Sequence, residues 1–222
     1  MYKQVFFICA ILLATMFLAF QPSVVSAAPA PEFFEPVYRL HSLGEINACD
    51  DFVFPSFTES WRQTPKPQNK TVVGVYACHL LALQVLQQPQ NDSTFVYSDL
   101  GVATQFSLAT NYGTVGLLAH NNRSGIHFFD LNLGDQITVV YSDGAMRQYL
   151  VSSIRHFQTL NPNDPYSDFN DLDSGGARLS STEVFQQVYS AGDQVVFQTC
   201  IDANGNPSWG RLFVIAKPIR LY

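Results

Sequence analysis

From Thr94 onward the chain sets one short β-rich run after another between clusters of turn residues. Thr94–Tyr97, Val115–His120, Gln136–Tyr141, Gln148–Ile154, Gln194–Thr199 and Arg211–Ala216 are rich in Val, Ile, Leu, Phe and Tyr. Ser142-Asp143-Gly144 separates two of these runs, and an Asp-Gly pair between β-rich segments is a strong hairpin signal. Asp202 to Ser208, with two Asn, a Gly and a Pro, links the last two. One helix is expected in this half: Ser180 and Glu183 form a capping-box pattern, with Val184, Phe185 and Val188 inward and Gly192 beyond the end. Many short strands joined by turns predict a mainly β fold, a closed or nearly closed barrel with a few short helices.

Upstream the pattern differs. Residues 72–88 are apolar at mixed spacing, which predicts a helix, with a strand at Val72–Tyr76 as the alternative. Residues 28–70 are rich in Pro, Phe and polar residues and read as loop. The first residues form a targeting segment: Lys3, an apolar stretch from Val5 to Phe20, then Gln21-Pro22 and the small residues Val25-Ser26-Ala27. The stretch is short for a membrane span, so a cleaved signal peptide is expected, with an uncleaved anchor as the alternative. The expected organisation is a targeting segment at 1–27, a loop-rich or helical extension at 28–93, and the barrel at 94–222, working outside the cytoplasm.

A formal net charge of −6, with no basic run, argues against nucleic acid as a partner. Cleavage after Ala27 removes Cys9 and leaves Cys49, Cys78 and Cys200, an odd number. In an oxidising compartment the simplest sorting pairs Cys49 with Cys78 and leaves Cys200 a free thiol. Three buried, reduced cysteines are the alternative.

Three pieces then stand out. His120 ends the apolar run Gly116-Leu-Leu-Ala-His120, Cys200 ends Phe197-Gln-Thr-Cys200, and Arg211 opens the next run after Trp209-Gly210. In order and context they resemble the sortase family: a His after a small apolar strand, a strand ending Thr-Cys, and an Arg a short loop later. The family's Thr-Leu-x-Thr-Cys strand end stands here as Val196-Phe197-Gln198-Thr199-Cys200, which keeps only the final pair. Phe128-Phe-Asp-Leu-Asn-Leu-Gly-Asp-Gln-Ile137 is similar to the family's segment after the His, and Tyr149-Leu150-Val151 to its Tyr-x-Val strand. The resemblance runs from about Gly113 to Ala216. It implies a sortase-like barrel and a cysteine transpeptidase that attacks a sorting peptide, forms a thioester and transfers the acyl group to an amine. The implied partners are a peptide or protein substrate and an amine acceptor; the first residues offer membrane anchoring.

The residue chemistry agrees with that implication. A thiolate is the reactive form of Cys, and a neighbouring imidazole and guanidinium favour it. His120 can pass a proton to a leaving amine and take one from an incoming amine. Arg211 can bind a developing oxyanion. Thr199 is a candidate hydroxyl or backbone donor beside the nucleophile, or a packing residue, and Asn121 a candidate to orient His120. His127 ranks below His120 because it lies within the next apolar run; His41, His79, His156, Arg123 and Arg220 lack supporting context. Asp168, Asp171 and Asp173 raise a minor calcium option, since some sortases bind calcium in this region, against a solvated acidic loop. No other cofactor is expected. Two rival functions remain: another extracytoplasmic cysteine enzyme, either an endopeptidase or an L,D-transpeptidase, and a non-catalytic cell-surface binding barrel.

Overall fold

The computed structural model describes residues 70–219. The expected targeting segment, most of the expected extension, Cys9, Cys49, His41 and Arg220 lie outside the described residues.

Ten strands form one sheet: β1 (Val72–Ala77), β2 (Leu81–Gln87), β3 (Val102–Gln105), β4 (Thr114–Leu118), β5 (Gln136–Tyr141), β6 (Met146–Thr159), β7 (Phe169–Asp171), β8 (Ala177–Leu179), β9 (Gln194–Ala203) and β10 (Asn206–Pro218). Eight of them run in the order β10-β9-β4-β3-β2-β1-β5-β6, and a β10–β6 pairing closes the ring. The result is a closed barrel, antiparallel except for β2–β3 and β4–β9. Strands β7 and β8 extend from the far end of β6 as a small hairpin. Eight staves leave an interior that side chains can fill. Val75, Leu83, Leu117, Ile137, Val139, Phe197, Leu212 and Val214 fill it here. A 3₁₀ helix, Ser124–Asp130, adds Phe128, whose ring meets Phe197 edge-on at 5.0 Å.

A second apolar cluster lies on the outer face of β9, β10 and β6. Phe157, Phe169, Val196, Phe213 and Ile215 meet Val184, Val188 and Tyr189 of helix α2 (Ser181–Tyr189), with Ala109 from the short helix α1 (Ser107–Thr110). Helix α2 starts as its sequence predicts. The Ser180 hydroxyl accepts from the Glu183 N–H, and the Glu183 carboxylate accepts from the Ser180 N–H. Alternating burial therefore gives the barrel two cores, one inside and one under α2.

Five expectations need correction. Residues 72–88 form a hairpin rather than a helix. Leu81, Leu83 and Val85 are buried and alternate with less buried neighbours, which is period two. The chain reverses through His79, at φ 59°, where the Leu80 N–H reaches the Ala77 carbonyl at 3.0 Å. Adjacent Leu80 and Leu81 had blurred that period. Because β1 and β2 are staves, the barrel takes in residues from Val72 onward instead of beginning at 94. Thr94–Tyr97, expected as a strand, joins no ladder. The stretch expected as polar loop at 161–180 contains β7 and β8, and the expected linker at 202–208 narrows to a turn at Asn204-Gly205, both at positive φ. Among the described residues, no helix is long and apolar enough to cross a membrane.

Cys78 sits in the β1–β2 turn and is disulfide-bonded, while Cys200 is free. Cys49, its expected partner, lies outside the described residues.

Candidate functional site

Strand register brings the three singled-out residues into one row. Arg211 on β10 faces Cys200 on β9 as a direct cross-strand pair. Leu118 on β4 faces Gln198 on the other side of β9, and the Ala119 N–H continues that ladder to the Gln198 carbonyl at 3.2 Å. His120 lies two residues past Leu118, as Cys200 lies two past Gln198, just beyond the last pair of that ladder. Neighbouring strands are about 4.8 Å apart, so the row His120–Cys200–Arg211 spans roughly 10 Å. Its next member on β6 is Phe157, opposite Arg211.

The row lies outside the barrel. Alternation fixes this, because Val196 on β9 and Phe213 and Ile215 on β10 belong to the cluster under α2. Cys200 shares the parity of Val196, and Arg211 that of Phe213. Between Val196 and Cys200, Gln198 accepts a 2.5 Å hydrogen bond from the Tyr189 hydroxyl of α2. Burial pushes that hydroxyl far above the ordinary tyrosine range, so it remains a donor. All three residues of the row are half-buried, beyond the end of α2. The thiol is therefore neither enclosed in the interior core nor fully in solvent.

Each partner is anchored differently. His120 Nε2 lies 3.3 Å from the Val96 carbonyl oxygen. The Arg211 guanidinium places Nη1 on the carbonyls of Ser208, at 3.1 Å, and Gly210, at 2.8 Å. Among the described residues its Nε and Nη2 have no protein hydrogen-bond partner. One side of the fork is thus held by the first residues of β10 while other donors remain for a ligand. Asn121 donates from Nδ2 to the Pro207 carbonyl at 3.0 Å, so its amide ties the segment after β4 to the start of β10.

Thr199 has the opposite parity to Cys200. It is buried, and its hydroxyl donates to the Ala119 carbonyl at 2.8 Å. It clamps β9 to the end of β4 from the inside, through the residues that precede Cys200 and His120. Thr199→Val keeps the shape and removes the donor, so a stability loss of about 1 kcal/mol is expected, read from the urea midpoint at constant slope. The polar turn after His120 closes on the same spot. The N–H groups of Arg123 and Gly125 donate to the His120 carbonyl at 2.9 and 3.0 Å.

The remaining candidates lie elsewhere. His127 pairs with Asp130 at 3.7 Å on the 3₁₀ helix. His156 Nδ1 is 3.2 Å from Asp173, and its backbone N–H donates to the same carboxylate. Asp171 is buried against Arg155 at 2.6 Å, and Asp168 bonds Arg178 at 2.7 Å. Each carboxylate of the calcium option thus faces a cationic or imidazole partner. Among the described residues no group of three or more His, Cys, Asp or Glu is placed to hold a metal ion. The Val96 carbonyl and the Tyr189 hydroxyl carried no signal in the sequence, since one is a backbone group and the other sits on the inner face of a helix.

No family model and no curated protein matches the chain. Solved structures of similar shape include sortase A of Listeria monocytogenes, at TM-score 0.42 and 13% identity over 67% of this chain and 88% of that one. A lid mutant of Corynebacterium diphtheriae sortase A gives 0.43 and 15% over 75% and 94%. A Clostridium perfringens sortase D5 transpeptidase gives 0.42 and 13% over 77% and 91%. A likeness this distant says nothing of chemistry.

Proposed function

We propose that this protein is a cysteine transpeptidase of the sortase type, with Cys200 as nucleophile, His120 as proton carrier and Arg211 as oxyanion ligand. One observation supports the reading most: a free, half-buried thiol is the cross-strand partner of Arg211, and His120 follows two residues past the end of β4, the strand on the other flank of β9. The order of the motifs along the sequence supports it independently.

In this reading the Cys200 sulfur attacks a peptide carbonyl, forming a C–S bond and a tetrahedral oxyanion. Free N–H donors of Arg211 stabilise that charge; one such donor contributes ~3 kcal/mol to lowering a barrier. The C–N bond then breaks as protonated His120 hands its proton to the departing amine. What remains is a thioester and a neutral imidazole. An incoming amine attacks the thioester, His120 takes its proton, and the C–S bond breaks to return the thiolate. Substrate class and acceptor follow from this chemistry: an acyl donor peptide and a primary amine.

The test uses a peptide library with hydroxylamine as the amine. Mass spectrometry should find a thioester adduct on Cys200 and peptide hydroxamates, and both should vanish in Cys200→Ala. Hydroxamates formed equally by Cys200→Ala, or a wild-type protein that forms neither species, would overturn the reading. Hydrolysed peptide with no hydroxamate would replace transfer by an endopeptidase.

A further inference from the structure

His120 is held by a group that also has a second partner. The Val96 carbonyl that faces Nε2 belongs to the same peptide group as the Tyr97 N–H. That N–H donates to the Thr104 hydroxyl oxygen at 2.8 Å. The C=O and N–H of a trans peptide lie in one plane and point in opposite directions. Fixing the N–H end therefore aims the carbonyl end.

Thr104 is well placed to do the fixing. It lies on β3, fully buried, and its register partner is Leu118, two residues before His120. The segment around Val96 joins no ladder, so its peptide groups are not oriented by strand pairing. The Thr104 hydroxyl substitutes for that missing ladder at the one peptide His120 uses. A second tie steadies the same connection. Ser124, fully buried, accepts from the Val102 N–H at 3.1 Å and lies 3.5 Å from the Asp99 carbonyl oxygen. Ser124 is in the turn that closes on the His120 carbonyl, so the turn and the Val96 segment are braced together.

A carbonyl oxygen only accepts. The ring nitrogen facing it therefore carries a proton, and in the neutral imidazole Nδ1 is left without one. We infer that Thr104 is a positioning residue for His120, acting through the Val96–Tyr97 peptide to fix the ring's orientation and leave Nδ1 as the nitrogen that takes up and releases a proton. The inference rests on the transpeptidase reading only for what that proton is used for. The arrangement itself is a property of the resting protein.

The test reads the resting protein without substrate. In the full chain labelled with ¹⁵N-histidine, His120 is assigned by the cross-peak that disappears in His120→Gln. Wild type should show its proton on Nε2, protected from exchange with water. Thr104→Val removes the acceptor at nearly constant volume. It should speed exchange of that proton at least about fivefold, the effect of losing one ordinary hydrogen bond. Thr104→Ser restores the oxygen and should restore the protection. If Thr104→Val fails to fold, Thr104→Ala removes the same oxygen without placing a methyl against the Tyr97 N–H. A wild-type Nε2–H that exchanges freely, a proton found on Nδ1, or protection unchanged in the folded Thr104→Val or Thr104→Ala protein would overturn the inference. A protected Nε2–H in a protein that makes no thioester would overturn the transpeptidase reading and leave this one standing.

Discussion

On the transpeptidase reading, Gly125→Ala is expected to lower thioester formation about 100-fold while most of the protein remains folded. A Cβ at this position would lie 2.7 Å from the carbonyl oxygens of both Ala119 and His120, and closer still to the Thr199 hydroxyl. None of these atoms yields easily. The carbonyls are main chain at the end of β4, and the hydroxyl is clamped between β9 and β4. Crowding of this kind costs about 1–3 kcal/mol. Its greater effect is on geometry, since the backbone that must move carries His120. A displacement near 1 Å in a catalytic arrangement can cost about 10²-fold in rate. Labelling of Cys200 by a small thiol reagent, together with thioester yield, separates the two consequences. Reaction with the reagent should persist while the peptide thioester is lost. An enzyme with wild-type yield would show that the turn does not position the imidazole.

Asp171→Ala is expected to give the largest loss of stability, about 3 kcal/mol, seen as a fall in Tm of roughly 6–12 °C. The Asp171 side chain is 4% exposed and meets Arg155 at 2.6 Å; its other oxygen accepts from the Asp173 N–H at 3.1 Å. Deleting it leaves the half-buried guanidinium over the Phe157 ring with only the longer Asp173 contact at 3.9 Å, and removes a side-chain tie between β7 and β6. Asp168→Ala is the control. Its partner Arg178 is 69% exposed, so removing that pair should cost under about 1 kcal/mol. Equal melting temperatures for the two variants would contradict this assignment.

Much of this architecture is legible in the chain because local and long-range preferences agree. Asp143-Gly144 supplies the turn of the β5–β6 hairpin, and Gly144 takes φ 84°. Ser180 and Glu183 cap α2. Cys200 and Arg211 end and begin runs joined by a short turn, so their pairing follows from hairpin geometry. Elsewhere the signals conflict or are missing. Leu80 and Leu81 add an apolar residue out of phase and made β1–β2 resemble a helix. Asp168, Asp171 and Asp173 read as solvated loop because strand ends with arginine partners look polar. β3 is four residues long, too short for a period to show. The grip on His120 passes through a peptide group, which no side-chain pattern encodes.

Closing the ring through β6 and β10 has a consequence for how a peptide could be gripped. Strand β9 is hydrogen-bonded on both flanks, to β4 and β10, and β10 likewise to β9 and β6. Along residues 195–198, where both flanks are taken, a guest chain finds no vacant rim on which to lie down as an extra stave, the route open to proteins that bind partners by β-augmentation. On the transpeptidase reading a peptide is met there from above the sheet, through side chains and the connecting loops, so changes in loop sequence would alter what is bound without disturbing the ring that carries the sulfur.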